Sequence, residues 1–283
     1  MWKEYHSKLD ESVNFVKNKE NGLLETRYVR RDNYVICYLS SHNGCNKSCR
    51  FCHLTATKQT YMTDTTIQEF IEQSTQVLKY YSNMAPVSKI HYNWMATGEP
   101  FANKAMVTNF SMVRRHLQNL ATEFGLESKF NISTIMPEGM PDLYHIVGDL
   151  PVEIYYSMYS LNPKFRKRWI PKAMDPFEAL KTLKAYQDIT GNRIAFHWTF
   201  IEGENDDLFT VNRIAKTLKE YDFDAKFNLV RYNPYSEKQG QESSDEVLQR
   251  NFDILRGALN NDQSKIVTRV GYDVKASCGR FME

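Results

Sequence analysis

Three cysteines stand close together in the stretch Cys45-Asn-Lys-Ser-Cys49-Arg-Phe-Cys52, a C-x3-C-x2-C spacing that follows a glycine, Gly44. Three thiolates at such short range can each take one iron of a [4Fe–4S] cluster and leave the fourth iron open to a substrate or cofactor. A zinc ion would want a fourth Cys or His. His53 is adjacent to Cys52, which makes joint ligation awkward but keeps zinc open as a second reading. The other cysteines are Cys37 and Cys278. An odd, clustered set argues against a disulfide framework and for metal or redox chemistry in a reducing compartment.

Further polar groups fall at the ends of strand-like runs: Gly98-Glu99-Pro100, Ser133-Thr134, Ser160-Leu161-Asn162 and Asn233-Pro234. Taken singly, Ser, Thr and Asn there read as turn or helix N-cap residues. The segment Lys164-Phe165-Arg166-Lys167-Arg168-Trp169, extending to Lys172, interleaves cations with aromatics. Its cations suit phosphates and its rings suit stacking on bases, against the plainer reading of a charged helix start with Trp169 in the core.

The elements that must position these groups alternate along the chain. Strand-like runs fall at Tyr34–Leu39, Lys89–Met95, Lys129–Ile135, Val152–Met158, Arg193–Phe200 and Ala225–Arg231, with helical segments at Thr65–Ser82, Lys104–Phe124, Met140–Gly148, Pro176–Thr190 and Asp206–Tyr221 between them. A last helix, Ser244–Leu259, precedes a strand-like run at Lys265–Val270. Such repetition predicts an α/β fold, a full or partial (β/α)6 TIM-like barrel, with its chemistry on loops at the strand C-terminal ends. Residues 1–33 read as a short N-terminal accessory element and residues 34–283 as the core. Within the extension, Leu9, Val13 and Val16 at helical spacing predict a helix over Tyr5–Lys19, and Leu24–Val29 predicts a short strand.

A chain of 283 residues with 42% hydrophobic and 25% charged residues fits an ordinary globular protein with a sizeable core. A net charge of +2 excludes a polycation, so any nucleic-acid surface must be a local patch. No apolar run reaches membrane-spanning length, and Met1–Asp10 lacks an apolar signal core. A cytoplasmic monomer with no membrane association is expected.

The cysteine motif, with the aromatic Phe51 just before Cys52, resembles the signature of the radical S-adenosylmethionine (SAM) superfamily. The resemblance implies a radical SAM barrel whose cluster cysteines are Cys45, Cys49 and Cys52. Its open iron would bind SAM, and one electron would split SAM into a 5′-deoxyadenosyl radical. Gly98-Glu99-Pro100 resembles the superfamily's GEP motif, whose carboxylate suits the SAM ammonium. Ser133, Ser160, Leu161, Asn162 and Asn233 fall at its other SAM-binding positions.

From about residue 25 to 281 the chain also resembles the RlmN/Cfr-type RNA methyltransferases, which act on adenine carbon 2 or carbon 8. Asn228-Leu229-Val230-Arg231-Tyr232-Asn233-Pro234-Tyr235, Ser243-Ser244 and Ala276-Ser277-Cys278-Gly279 carry that likeness. By resemblance, Cys278 accepts a methyl group from one SAM before a second SAM activates it by radical chemistry. An early cysteine then resolves the protein–RNA adduct. Without a gap the family's early cysteine falls on Tyr38, leaving Cys37 one position early, and neighbouring strand positions face opposite ways. Cys37 serves only if a bulge re-aims it. Glu25 aligns with a family carboxylate assigned to proton transfer. Lys164, Arg166, Lys167 and Arg168 become candidate contacts to rRNA or tRNA, and flavodoxin or ferredoxin the expected electron donor. The competing readings are a radical SAM enzyme acting on a small molecule, protein or DNA, and a nucleic-acid-binding module with a structural metal.

Overall fold

The computed structural model covers residues 1–283. Its centre is one ten-stranded sheet in sequential order. Strands β4 (Tyr34–Leu39), β5 (Lys89–Trp94), β6 (Glu127–Thr134), β7 (Val152–Tyr156), β8 (Ile194–Trp198), β9 (Ala225–Val230) and β10 (Lys265–Val267) pair in parallel. The long outer helices are α2 (Ile67–Tyr81), α3 (Lys104–Glu123), α6 (Pro176–Thr190), α7 (Leu208–Tyr221) and α8 (Asp245–Leu259). Short helices α1 (His53–Ala56), α4 (Leu143–Val147) and α5 (Pro163–Trp169) sit in the connections. The first and last strands of the sheet do not pair, so the (β/α) barrel is partial and has an open side.

The N-terminal segment corrects one expectation. Tyr5–Lys19 is not a helix: it forms β1 (Lys3–His6) and β2 (Val13–Lys19), which run on antiparallel into β3 (Gly22–Arg30) and β4. Leu9, one of three residues that suggested a helical stripe, is 69% exposed in the turn between β1 and β2. Val13, Phe15 and Val16 are β-branched or aromatic residues that pack well on a pleated surface, and pairing with β3 overrides the weak helical spacing. Residues 1–33 thus form a meander that extends the barrel sheet.

Strand parity decides which side chains meet the lumen. On β4, Cys37 lies opposite Tyr92 of β5, whose hydroxyl bonds Ser74 of α2 at 2.8 Å. That face is covered by helix. Tyr34, Ile36 and Tyr38 take the other face, where Tyr34 stacks on His91 with ring centroids 4.1 Å apart. The lumen floor is polar. Glu153 accepts from Lys129 at 2.7 Å and forms an ion pair with Lys226 at 2.6 Å, and Asn131 donates to Asn93. Nearby cations hold Glu153 below the usual carboxylate range against its burial, while burial pushes the His197 imidazole down to about 3.

His197 thus stays neutral when folded but binds a proton when unfolded, so its contribution to stability is lost as pH falls from about 6.5 towards 3. One such group steepens acid unfolding by about 1.4 kcal/mol per pH unit within that window. Denaturation at stepped pH should show the parent losing stability across this range and His197→Gln losing it less steeply. Identical slopes would remove His197 from the account.

Candidate active site

The cysteine loop leaves the C-terminal end of β4. Its base is tied down by buried polar residues: Ser41 N donates to Thr97 O at 2.8 Å, and Ser40 N donates to Gln73 Oε1 at 2.8 Å. Gly44 has no room for a side chain, since a Cβ there would lie 2.2 Å from Tyr61 O. Cys45 N bonds Gln59 O at 2.9 Å, Ser48 adopts a left-handed φ of 59°, and Cys52 begins α1. An aromatic ladder carries the outer edge of the loop. Phe51 stacks on Tyr159 at 4.5 Å, Tyr159 on Phe165 at 6.5 Å, and Phe165 on Trp169 at 5.8 Å. Arg50 lies over the Trp169 ring at 5.4 Å.

Cys45, Cys49 and Cys52 line a cavity of about 150 Å³ that also meets Gly98, Glu99 and Ser133. The sequence-predicted groups on three different strand ends thus converge. Gly98 has φ +104°, and a Cβ on it would strike His42 Nδ1 at 2.4 Å, so only glycine fits this turn. Glu99 is buried and its oxygens accept from Thr134 Oγ1 at 2.7 Å, Ile135 N at 3.1 Å and Phe101 N at 3.2 Å. Burial raises its pKa, with those hydrogen bonds and Lys47 pulling the other way. The Ser133 hydroxyl is buried without a partner and is free to bond a ligand.

These residues fit a [4Fe–4S] cluster with SAM beside it. The three thiols open on one cavity, yet no three Cys, His, Asp or Glu side chains converge as ligands of a single ion would. Burial pushes the Cys45 thiol up to about 12, Cys52 to about 11 and Cys49 well above the usual range, so iron would displace protons on binding. The His53 ring lies 5.1 Å from the Tyr235 ring, tilted edge-on, and its two nitrogens are buried without partners.

Cys278 arrives from the opposite end of the chain. Its Sγ lies 3.5 Å from Sδ of Met95, a residue that lines the cysteine cavity. Burial raises its pKa, with Arg27 and Arg31 pulling it back. Gly279 and Phe281 of the same tail line the cavity directly, and His53 N donates to Gly279 O at 3.1 Å. Asn233 takes a different task from the expected cofactor contact: it donates to Cys278 O at 3.0 Å and accepts from Arg269.

Several other expectations change. Cys37 does not approach Cys278. It is fully buried on the helix-covered face of β4, bonded only to Thr26 Oγ1 at 3.8 Å, with its thiol pushed up to about 12 by burial. Its neighbour Tyr38 lines the cleft beside Cys278. Glu25 is no free base: its carboxylate accepts from Asn14 at 3.1 Å, Arg27 at 3.1 Å and Met282 N at 2.8 Å. Ser160, Leu161 and Asn162 do not line the cavity. The first two are buried, and Asn162 caps α5 by accepting from Lys164 N at 2.9 Å.

In the basic segment, Arg166 is buried and clamps Met158 O and Met174 O, while Phe165 and Trp169 belong to the ladder. Lys164, Lys167 and Arg168 stay exposed, with Arg168 paired to Glu204 at 2.7 Å. Lys47, Met95, Thr55 and Phe281 line the cavity but were not singled out from the sequence. For Lys47 a signal existed, since it sits inside the cysteine motif.

Two expectations can be measured here. Cys49→Ala should emerge from anaerobic reconstitution without the brown colour of the parent, and retained colour would remove Cys49 from the ligand set. Cys37→Ala should cost about 1 kcal/mol of stability as a small core truncation and leave turnover intact. Accumulation of variant crosslinked to substrate would return Cys37 to the reaction.

The model of the radical SAM superfamily matches residues 39–224. Among curated proteins, the chain is 28% identical over 261 residues to the dual-specificity RNA methyltransferase RlmN of Helicobacter hepaticus, covering 90% of this chain and 66% of that protein. It is 26% identical to the RlmN of Aliarcobacter butzleri, covering 90% of this chain and 68% of the relative. The chain thus spans about two thirds of the length of these relatives. Among solved structures, a radical SAM methyltransferase from Sphaerobacter thermophilus matches with a TM-score of 0.77 at 20% identity, over 98% of this chain and 79% of that one. A methylornithine synthase matches with a TM-score of 0.54 at 12% identity, over 81% of this chain and 63% of that one. These two likenesses concern the fold.

Proposed function

The chain belongs to the radical SAM superfamily, and we propose that within it this protein methylates an adenine ring carbon of RNA through a methyl-cysteine at Cys278. Membership brings a [4Fe–4S] cluster and SAM as cofactors. When bound, they supply an electrophilic methyl group and a one-electron cleavage that activates it. Cys45, Cys49 and Cys52 hold the cluster. Glu99 and Ser133, on neighbouring strand ends, face the same cavity, where a carboxylate accepts from an ammonium and an unpartnered hydroxyl bonds a polar ligand.

One observation carries the reading of reaction type. Cys278 is a second, separate sulfur in a cleft beside the cluster cavity, 3.5 Å from Met95 Sδ on the cavity wall and carried by a tail whose Gly279 and Phe281 line that cavity. An adenine ring carbon is not a nucleophile, so direct displacement on SAM cannot methylate it. A sulfur can accept the methyl first, as a thiolate. Arg27 and Arg31 favour that thiolate against the cost of burial.

The substrate and ring position rest on likeness. The relatives reported above are named RlmN, the carbon-2 branch of the resemblance, so carbon 2 of adenine in RNA is the favoured target. Exposed Lys164 and Lys167, with Arg168 beside them, lie on the helix that follows β7 and suit phosphate contacts. A flavodoxin or ferredoxin is the proposed electron donor. No helix is long and apolar enough to cross a membrane, and the protein is proposed to work as a cytoplasmic monomer.

Peptide mass mapping after anaerobic reconstitution with SAM should find a methyl group on Cys278. Cys278→Ala should still cleave SAM reductively and transfer no methyl to RNA. Methylated RNA from that variant would end the shuttle role, and an unmodified Cys278 in the parent would move the reaction to other radical chemistry.

A further inference from the structure

We infer that Arg27 is the positioning residue for Cys278: from the N-terminal meander, its guanidinium grips the C-terminal tail on both sides of the reactive sulfur. The inference rests on the reading of Cys278 as methyl carrier, and it names what fixes that sulfur in place.

Arg27 is 1% exposed, on a strand from the opposite end of the chain. One of its nitrogens lies 3.4 Å from Ser277 O, before Cys278, and another donates to Arg280 O at 2.6 Å, after it. The same guanidinium lies 4.9 Å from the centre of the Phe281 ring, and Phe281 lines the cysteine cavity. Its charge is balanced by Glu25 at 3.1 Å, and Glu25 in turn accepts from the tail amide of Met282 at 2.8 Å. Asn14 completes the cradle by donating to Val274 O at 3.1 Å.

Sheet register explains why these groups act together. Asn14, Arg27 and Tyr38 are direct cross-strand partners on β2, β3 and β4. They form a transverse row on one face, and Tyr38 lines the cleft beside Cys278. A planar guanidinium can serve two carbonyls and a carboxylate at fixed angles, which a lysine ammonium on a flexible stem cannot. Burying this cation is costly, and apart from Glu25 the partners of its guanidinium lie on the tail.

The test is hydrogen–deuterium exchange of the cluster-free full chain, read by mass spectrometry on peptides from 271–283 and from β5 to β8. Removing Arg27 alone strands a buried carboxylate, so the double variant Glu25→Gln/Arg27→Met accompanies Arg27→Met and Arg27→Lys. In the double variant the tail should exchange about tenfold faster or more, from loss of its charge-assisted bonds, while β5 to β8 keep their protection. Cys278 should then take up methyl more slowly in the reconstituted enzyme. Arg27→Lys, which keeps the charge, should restore part of both. Tail protection equal to the parent would overturn the inference. So would equal loss of protection in β5 to β8, which would make Arg27 a residue of the whole fold. If Cys278 of the parent takes up no methyl, the methyl-carrier reading fails, and the exchange data still decide whether Arg27 holds the tail.

Discussion

Parallel strands joined by helices can close a barrel only when there are enough of them, and here the sheet stops short. The open side must be covered, and the chain covers it with its own last residues. From Arg269 onward the tail leaves β10, and it meets the N-terminal meander at Asp10, Asn14, Glu25 and Arg27. The buried Glu25–Arg27 pair is the hub of that crossing. A buried ion pair stabilises little by itself, because desolvation offsets most of its attraction. Its use lies in direction: backbone carbonyls and an amide of the tail must take up the hydrogen bonds the pair leaves free.

The cluster loop meets the same constraint from the other flank. A loop holding three thiols toward one cavity has few backbone partners of its own, so its shape is imposed from outside. Phe51, Tyr159, Phe165 and Trp169 fix its outer edge by stacking, and Arg50 and Gln239 join it to the loop after β9. Gly98 packs against His42 at the loop's base, so the turn bearing Glu99 and the turn leading to the cysteines are fitted to each other. The spacing between carboxylate and thiols is thus tied to that packing.

How much of this could be read from the sequence depended on whether the signal was local. The alternation of strands and helices from residue 34 onward was legible because each element carries its own period. The cysteine motif, Gly98-Glu99 and Ser133 were legible because they lie at strand ends, where barrel chemistry collects. The N-terminal helix was misread because Leu9, Val13 and Val16 fit a helical stripe by chance, while the evidence for strand lay in a pairing with β3. The basic segment was misread in part because cations spread over five residues of a helix that packs on the core cannot all face solvent: Arg166 turned inward to carbonyls, and Phe165 and Trp169 went to the ladder. The role of Arg27 left no local signal, since its partners on the tail lie some 250 residues away in sequence.

Cys37 and Cys278 show how position outweighs residue type. Both are thiols raised by burial. One lies among helix-facing core side chains with Thr26 as its only hydrogen-bond partner, and the other lines a cleft beside the cluster cavity with two arginines favouring its thiolate. A shift of one residue along β4 separates them, because parity alone puts Tyr38 rather than Cys37 beside the tail. With three of the five cysteines facing the cluster cavity and Cys37 on the far side of the sheet, Cys278 has no thiol partner left on the chain outside that cavity. A covalent bond between Cys278 and a substrate carbon would therefore have to be released without a disulfide to Cys37. On the cleft that holds Cys278, β4 presents the phenol of Tyr38, which cannot form one.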